Sequence, residues 1–394
     1  MRGQVDVSRT ACICCHRVQR ASERVVAVRI HSQCVLTKEK TMQVNEVKLS
    51  EFVGKMLGDI GGAFSVGLVR IGEQLGLYKA LLESGPMTPH ELAMKTRTAE
   101  RYIREWLAHQ AASGYLAYDP DTGEFELPPE QAMVFAVDDS PVNMLGVFDL
   151  VIGNLESAPK VQYAFHTGEG VSWGDHTNCL FCAVDKFFRP SYQHNIVEQW
   201  LPALDGVIEK LERGARVADI GCGHGSSTVF MAKAFPNSHF FGYDFHDASI
   251  AHARDLARRE DVEGNVTFEE GLAKNFPGAN YDLICMFDCL HDMGDPAGAA
   301  AHVLESLADD GTFMVVEPMA GDRLEDNLNP VGRVMYAAST LVCVPTSLAQ
   351  EVGLALGAQA GEAKLREVIM AGGFGSVRRA AETPFSMVLE ARRQ

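Results

Sequence analysis

The sequence predicts an α/β protein whose C-terminal half forms a doubly wound parallel sheet, with a small helical domain before it. Three observations lead to this prediction. Short apolar strands alternate with amphipathic helices from Arg216 to Glu317, a glycine-rich turn at 221–225 joins the first of these strands to its helix, and the stretch before them has mainly helical periodicity. Alternation of this kind is typical of a sheet covered by helices on both faces.

Chain length and net charge limit the number of domains and the class of partner. The chain has 394 residues, 46% of them hydrophobic, which predicts two or three domains with a sizeable core. Its net charge is −17, but residues 1–41 carry eight basic and three acidic side chains, which leaves −22 for residues 42–394. A body this acidic repels phosphate backbones and anionic membranes, so nucleic acid is not expected as a general partner.

The first 41 residues differ in texture from the rest. They are either a disordered basic tail or an extension upstream of the true start, since a new pattern begins at Met42. Their potential metal ligands match no familiar zinc spacing: Cys12, Cys14, Cys15, His16, His31 and Cys34. The pair Cys179 and Cys182 is expected to pack on a helix, and no metal site is predicted. We found no apolar stretch of about 18 residues and no signal-peptide core, so a cytoplasmic protein is expected.

Residues 42–130 form the predicted N-terminal domain. A helical pattern runs from Leu49 to Leu82, with apolar residues at Phe64, Leu68, Ile71, Leu75 and Leu82. Thr88 can cap a second helix together with Glu91. After a turn at Arg97 and Thr98, a helix over 99–112 is expected to bury one face: Tyr102, Ile103, Trp106 and Leu107. A hairpin follows that turns at 119–123.

This arrangement resembles a winged helix, which leaves two interpretations open. In the first interpretation the domain binds DNA, and the helix over 99–112, which carries Arg101 and Arg104, lies in the groove. The same helix also carries Glu100 and Glu105, and arginines on such a face are more often solvated than base-reading. With a body at −22, we favour a dimerisation domain over a DNA-binding one.

The C-terminal domain, residues 213–394, carries the strand–helix alternation. Strands are predicted at 216–220, 239–244, 266–270, 281–287 and 312–317. Helices are predicted at 226–235, 247–260 and 296–307. A helix at 363–371 and a hairpin of strands at 376–381 and 385–391 complete the domain.

The spacing of the glycines distinguishes between two nucleotide ligands. A dinucleotide fingerprint would require a third glycine where Ser226 stands, so an NAD enzyme is disfavoured. The pattern Asp219-x-Gly-x-Gly-x-Gly resembles the first motif of class I S-adenosylmethionine (SAM)-dependent methyltransferases, which have a Rossmann-like sheet ending in a hairpin. The resemblance implies SAM as cofactor, S-adenosylhomocysteine as product, and these cofactor-binding residues: Asp219, Gly221, Gly223, Gly225, Asp244, Phe245, Gly271, Leu272, Ala273 and Phe287.

In that carry-over, the glycine loop approaches the methionine part of SAM and Asp219 lies near its amino group. Asp244, at the end of the second strand, holds the ribose hydroxyls. The family's acid after strand three is replaced by the stretch from Gly271 to Ala273, so backbone groups would bind the adenine edge. Phe287 stands where the family has lysine and can only stack or pack.

The stretch from Phe287 to Asp295 resembles the His-Asp-Trp-Ser-Asp motif of small-molecule O-methyltransferases, which also carry an N-terminal winged-helix dimerisation domain. The resemblance implies that His291 is the general base and that Glu317, after the fifth strand, orients it. A neutral histidine can take a phenolic proton near physiological pH. Histidines at this place also occur in methyltransferases where they only pack or hydrogen-bond, and the motif's tryptophan is Met293 here.

Two insertions lie outside the minimal sheet. Residues 131–212 are predicted to form a helical linker and a lid, with aromatic residues at Phe148, Trp173, Phe181, Phe187, Phe188, Tyr192 and Trp200. We expect most of them to be core residues rather than substrate contacts. From the second insertion, 322–350, a pocket could be lined by Asn329, Arg333, Met335 and Tyr336. His166, His176 and His194 have no clear metal spacing.

The sequence therefore predicts a cytoplasmic, homodimeric SAM-dependent methyltransferase for a small, apolar or aromatic acceptor. Mycobacterial winged-helix methyltransferases share this layout, and some carry the label of transcriptional regulator. The alternative is accordingly a winged-helix DNA-binding regulator that binds SAM as a ligand.

Overall fold

The computed structural model describes residues 43–393, so the predictions for the basic tail and its cysteines lie outside the described residues. The chain divides into two compact units, one ending at Ile60 and the other beginning at Gly61. Within the first unit, the described residues form the start of a long helix. The second unit contains the winged-helix elements, the sheet and both insertions.

The helices and strands of the described residues follow the predicted alternation. The α-helices are α1 (Glu46–Gln74), α2 (Leu77–Ser84), α3 (Pro89–Thr96), α4 (Glu100–Ala112), α5 (Pro129–Phe135), α6 (Leu145–Thr167), α7 (Asn178–Asn195), α8 (Val207–Arg213), α9 (Ser226–Ala234), α10 (Asp247–Arg259), α11 (Pro296–Ser306), α12 (Pro330–Ala338), α13 (Val344–Leu348) and α14 (Gly361–Ala371). The strands are β1 (Ala117–Asp119), β2 (Glu124–Glu126), β3 (Arg216–Ile220), β4 (His239–Asp244), β5 (Val266–Glu270), β6 (Tyr281–Phe287), β7 (Leu307–Pro318), β8 (Ser376–Glu382) and β9 (Ser386–Arg392).

The long N-terminal helix departs from its prediction in two ways. It is interrupted before α2, because Gly76 takes a left-handed conformation with φ of 68°. Its buried side is also a different one: Ser65, Val69 and Gly72 are buried, whereas Phe64 is 70% exposed. The small side of the helix faces inward because Trp106 packs directly against Gly72, where an added Cβ would lie 2.5 Å from the indole ring.

The rest of the winged-helix region forms as predicted, with one exception. Thr88 and Glu91 make a complete capping box at the start of α3, and Arg97 ends that helix in a left-handed conformation. Strands β1 and β2 pair antiparallel around the predicted turn. The exception is Tyr102, which is 81% exposed, while the other three predicted apolar residues of α4 are buried.

The large sheet has the order β5-β4-β3-β6-β7-β9-β8. Its first five strands are parallel, and β9 runs antiparallel between β7 and β8. The predicted doubly wound fold with a terminal hairpin is confirmed. Strand β7 begins at Leu307 rather than at Thr312, with an irregularity in its pairing to β6 near Tyr281. This order brings the carboxyl ends of β3, β4 and β6 together at one edge of the sheet.

The two insertions pack beside that edge. Helices α6 and α7 lie in close contact, because an added Cβ at Gly146 would come within 2.5 Å of the backbone of Phe187. Helices α12 and α13 are joined by a π-helical turn, Ser339–Cys343. Single π-turns inside helices are frequent at functional sites.

Two helical stretches, Glu46–Gln74 and Pro330–Leu348, are long and apolar enough to cross a membrane by length and composition alone. The expectation that the chain contains no such stretch therefore does not hold. The second stretch forms a wall of the cavity described below, which accounts for its apolar character.

Candidate active site

A cavity of about 1350 Å³ opens at the carboxyl ends of the parallel strands. Its walls come from the glycine loop after β3, the ends of β4 and β6, and the insertion helices α6, α7 and α12. Ligands of open α/β sheets bind at this edge, where the strand order reverses. Because β3 lies next to both β4 and β6, the cavity is at that reversal.

The glycine loop needs its three glycines for different reasons. Gly221, Gly223 and Gly225 all have positive φ, a conformation that side chains with a Cβ rarely adopt. At Gly225 a Cβ would also lie 2.7 Å from the ring of Phe268, so this glycine allows close packing below the loop. Gly223 has no atom within 4 Å of its hypothetical Cβ and lines the cavity. Within the predicted loop, Gly225 therefore serves packing, while Gly223 leaves room for a ligand to approach the backbone.

Asp219 lies beneath this loop rather than along the cavity wall. Its Oδ2 accepts hydrogen bonds of 2.6 Å from the hydroxyls of Ser227 and Thr228, in the first turn of α9. Burial raises the pKa of Asp219 to about 6. The carboxylate therefore fixes the start of α9 against β3, and the role predicted for it near an amino group stays a prediction.

Asp244 lies at the end of β4 and lines the cavity. Its Oδ2 accepts from the backbone N–H of Gly223 at 3.0 Å, and its Oδ1 accepts from that of His246 at 2.9 Å. Burial raises the pKa of this carboxyl, although both backbone donors oppose the shift. The loop and the acid are thereby locked together, in a position suited to a diol.

The other predicted cofactor residues meet at the same cavity. Phe245, Gly271, Leu272, Ala273 and Phe287 all line it. The Phe245 and Leu272 side chains are about half exposed, at 51% and 54%, and so form an open apolar edge. Phe287 is buried and packs against Tyr192, with ring centroids 5.3 Å apart. The structure therefore brings together nine of the ten predicted cofactor residues around the cavity or its loop, with Asp219 directly beneath.

His291 and Glu317 form a buried pair at the end of β6. The Nδ1 of His291 makes a short hydrogen bond with Oε2 of Glu317. The other oxygen, Oε1, accepts from the backbone N–H groups of Leu290 and His291 at 2.9 and 3.3 Å. Glu317 is 1% exposed and His291 is 4% exposed, yet His291 lines the cavity. The carboxylate thus fixes both the ring and the turn that carries it.

Two carboxylates decide the protonation of this histidine. Burial alone would lower the pKa of His291, but the charges of Asp292 and Glu317 outweigh it and raise that pKa well above 6.5. The Nε2 of His291 lies 3.0 Å from Oδ1 of Asp292. This contact is outside hydrogen-bonding geometry, since that oxygen has no hydrogen-bond partner among the described residues. The imidazole is therefore a stronger base than a free one, and its Nε2 lies beside the Asp292 carboxylate.

Asp288 is a cavity residue that the sequence predicts only as a loop acid. It takes a left-handed conformation with φ of 52° directly after β6, which for a residue other than glycine is a strained position. Its Oδ2 accepts a hydrogen bond of 2.9 Å from the hydroxyl of Tyr192 in α7. Burial, helped by the nearby charge of Glu317, raises the pKa of Asp288 to about 8. No motif pairs these two residues, which lie 96 positions apart in the chain.

The lid insertion supplies the apolar wall. Five of its seven predicted aromatic residues line the cavity: Trp173, Phe181, Phe187, Phe188 and Tyr192. Phe181 and Tyr192 are at the same time buried, and Phe188 packs against the core of the sheet, so these residues serve both the core and the cavity wall. Trp200 is a core residue with 1% exposure, and Phe148 packs against the winged-helix core.

The second insertion contributes fewer of its predicted residues. Met335 lines the cavity, whereas Asn329 caps α12 through a hydrogen bond from the N–H of Gly332. Cys343, on the π-turn, also lines the cavity and was not singled out from the sequence. No spacing signal could have found it, because it lies 52 residues from His291.

The charged groups at the cavity are mostly acidic. The acidic lining residues are Asp185, Asp244, Asp288, Asp292, Asp295, Glu351 and Glu382. Among the described residues that line it, Lys274 is the one lysine and arginine is absent. The ammonium group of Lys274 is held by Asp295 at 2.7 Å and by Glu351 at 3.1 Å. An anionic ligand group would find no unpaired cation here.

Comparison with known proteins matches two parts of the chain to families. Residues 211–360 match the family model of a methyltransferase domain, and residues 63–136 match that of an Rv2258c-like winged HTH domain. The prediction of a methyltransferase domain behind a winged-helix domain is thereby confirmed.

Individual relatives agree with these matches. The 27-O-demethylrifamycin SV methyltransferase of Amycolatopsis mediterranei is 31% identical over 140 residues, which cover 33% of this chain and 51% of that enzyme. The chain spans about half the length, or less, of the first curated relatives that it matches.

Among solved structures, mitomycin 7-O-methyltransferase MmcR has a TM-score of 0.64 at 17% identity, over 88% of this chain and 98% of that one. Human N-acetylserotonin methyltransferase in complex with SAM has a TM-score of 0.64 at 16% identity, over 90% and 99% of the two chains. At such low identity the likeness concerns the fold.

The buried pair predicts a large loss of stability when its carboxylate is removed. In Glu317→Ala, two backbone N–H groups and the Nδ1 of His291 lose their acceptor, so the free energy of unfolding should fall by about 3 kcal/mol. Glu317→Gln keeps one acceptor oxygen and should lose less. Chemical denaturation measures both, and an alanine variant as stable as the wild type would contradict the described hydrogen bonds.

Proposed function

Because residues 211–360 belong to a methyltransferase-domain family and residues 63–136 to a winged HTH family, we propose that the chain transfers a methyl group from SAM to a small-molecule hydroxyl. One observation carries the proposal. The glycine loop, Asp244 and His291 line the same cavity, and Glu317 holds His291 from behind. A methyl donor and a base can therefore meet there.

The cofactor-binding side rests on the loop and on Asp244. The cradle at Gly223 is open, and α9 begins directly after the loop, so its first N–H groups point toward the ligand. Asp244 would accept hydrogen bonds from the ribose hydroxyls, while Phe245 and Leu272 border the adenine. When bound, SAM supplies a methyl group already activated by the adjacent sulfonium. The acidic lining also suits the positive charge of that cofactor.

His291 acts as the general base in this proposal. Glu317 fixes Nδ1, so in the deprotonated ring Nε2 is left to accept the proton from the acceptor hydroxyl as its oxygen attacks the methyl carbon. Because the pKa of His291 is raised, the population of this deprotonated form grows as the pH rises. The imidazolium that forms is stabilised by Glu317 and Asp292. Beyond the base, methyl transfer needs mainly in-line positioning, because the methyl group is already activated.

The acceptor is neutral and largely apolar. Five aromatic residues of the lid provide its wall, and the volume of about 1350 Å³ exceeds the roughly 300–1,000 Å³ of common ligand pockets. A carboxylate acceptor is disfavoured, since Lys274 is already paired with Asp295 and Glu351. This separates the chain from its relatives named as trans-aconitate and fatty-acid methyltransferases. A phenol or alcohol on a sizeable apolar scaffold fits best.

The chain works as a homodimer through α1. Large apolar residues recur on this helix, most of them three or four positions apart, and are exposed: Val47, Leu49, Phe52, Val53, Met56, Leu57, Ile60, Phe64 and Ile71. Glycine in a helix costs about 0.5–1 kcal/mol relative to alanine, yet α1 keeps Gly54, Gly58 and Gly62 with open space around them. Such positions allow a second helix to approach closely. A second copy of this chain is the partner we propose, in the cytoplasm.

A DNA-binding regulator is the alternative, and the winged HTH match favours it. Against it, Arg101 and Arg104 on α4 are paired with Glu105 and Glu100 at 2.5 and 2.7 Å. A band-shift titration with genomic fragments decides between the two. Specific, salt-sensitive shifts would support the regulator, and their absence would support the enzyme.

The ribose contact predicts a loss of cofactor affinity. Asp244→Ala should weaken S-adenosylhomocysteine binding by about 10- to 100-fold, since hydrogen bonds to charged groups contribute about 1.5–3 kcal/mol. Asp247→Ala removes an exposed acid three residues away and should bind normally. Calorimetry measures both, and equal affinity of the two variants would contradict the role of Asp244.

The general base predicts a defect confined to turnover. His291→Ala should lower kcat by at least about 100-fold and leave S-adenosylhomocysteine affinity within a factor of about two. His166→Ala, which removes an exposed histidine on α6, is the matched control. Full activity of His291→Ala on a phenolic acceptor would show that this histidine is structural.

The helix interface predicts a change of assembly. Sedimentation of the wild type should give a dimer, and the double variant Phe52→Glu, Phe64→Glu should give a monomer because four charges cannot be buried together. Phe165→Glu, on an equally exposed phenylalanine of α6, should stay dimeric. A monomeric wild type that instead floats with lipid vesicles would assign the apolar face to a membrane.

A further inference from the structure

We propose that His291, Asp292 and Cys343 form a binding site for one thiophilic divalent cation, with Zn²⁺ as the best fit. The three residues come from two separate segments, the turn after β6 and the π-turn between α12 and α13. All three line the cavity.

The geometry already resembles a coordination sphere. One potential ligand atom from each residue lies within 4.8 Å of the other two, and Nε2 of His291 is 3.0 Å from Oδ1 of Asp292. Zinc bonds to nitrogen, oxygen and sulfur are about 2.0–2.3 Å long. A small inward movement of the side chains would place all three atoms at those distances from a common centre.

Two further features support a cation at this place. Oδ1 of Asp292 is buried and has no hydrogen-bond partner among the described residues, although Nε2 of His291 lies 3.0 Å from it. Buried acceptors of this kind are normally satisfied. In addition, the Nδ1 of His291 is fixed by the carboxylate of Glu317, which is the outer-shell arrangement that metal-binding histidines usually have.

The ligand set selects the class of cation. Thiolate and imidazole favour Zn²⁺ or Co²⁺ and disfavour Mg²⁺ and Ca²⁺, which prefer oxygen ligands alone. On binding, the Cys343 thiol and the protonated Nε2 of His291 release their protons to solvent, and the thiolate and the freed nitrogen lone pair bond to the metal. Three protein ligands would leave the fourth position open toward the cavity.

A bound cation would also regulate the proposed reaction, and this part of the inference rests on the proposed function. The lone pair on Nε2 that would accept the hydroxyl proton would be committed to the metal. Zn²⁺ should therefore inhibit methyl transfer, half-maximally near its own dissociation constant.

The binding test uses the full chain with Cys12, Cys14, Cys15 and Cys34 replaced by serine, so that the tail cannot contribute thiolates. Titration with Co²⁺ alone should produce thiolate-to-cobalt charge-transfer absorption at one equivalent, and Zn²⁺ should displace it. Cys343→Ser should abolish the absorption. Cys182→Ser removes an exposed cysteine of α7 and should leave it unchanged.

A second variant keeps the test valid if Cys343→Ser fails to fold. Asp292→Asn should weaken Co²⁺ binding by at least about 10-fold while retaining the sulfur absorption at saturation. Absence of the absorption in the tail-serine protein, or its persistence in a folded Cys343→Ser variant, would overturn the site. Because cobalt absorption needs no turnover, these outcomes do not depend on whether the chain is a methyltransferase. Binding of Zn²⁺ without inhibition of an active enzyme would overturn the regulatory part alone.

Discussion

The buried carboxylate of Glu317 holds the turn that carries His291, and the proposed chemistry of the cavity depends on that turn. The pairing of Phe287 with Val316 places the last residues of β7 beside the end of β6. Glu317 is therefore within hydrogen-bonding distance of the turn that follows β6. It serves three donors, the N–H groups of Leu290 and His291 and the ring of His291. A buried carboxylate is tolerated because all three are satisfied together. The register of β6 and β7 therefore fixes the position of Glu317, and Glu317 in turn fixes both the turn after β6 and the orientation of the His291 ring.

Electrostatics around the cavity follow from the same low-dielectric environment. Burial raises the pKa values of Asp219, Asp244 and Asp288 together, which means that their charged forms lack compensation from solvent. A positively charged ligand would restore part of it. The cavity is thus better matched to positively charged or neutral ligand groups than to anions. Residues 42–394 have a net charge of −22, and the residues that line the cavity are likewise mostly acidic among those that carry a charge.

Much of this site could be predicted from the sequence, and the physical reason is topological. Carboxyl ends of parallel strands meet at one edge, so Gly221, Asp244 and His291 must lie near one another once the strands are recognised. Periodicity could not say which side of α1 is covered, because Ser65 and Gly72 pack inward only in response to Trp106. The predicted domain bounds stay predictions. The match to the winged HTH family begins at residue 63, in the middle of α1, so it does not mark where the domain starts.

The contacts that the sequence could not predict come from the insertions. Helix α7 of the first insertion connects the glycine-loop side of the cavity with the side that carries His291. From α7, Asp185 accepts a hydrogen bond of 2.5 Å from Ser226, at the start of α9. One side of the same helix also carries Tyr192, which donates to Asp288 at the end of β6. The aromatic wall for the acceptor is therefore anchored both to the glycine loop and to the strand that leads to His291. A change in α7 that reshapes the acceptor wall must also disturb the cofactor loop, so acceptor preference and cofactor geometry cannot vary independently in this chain.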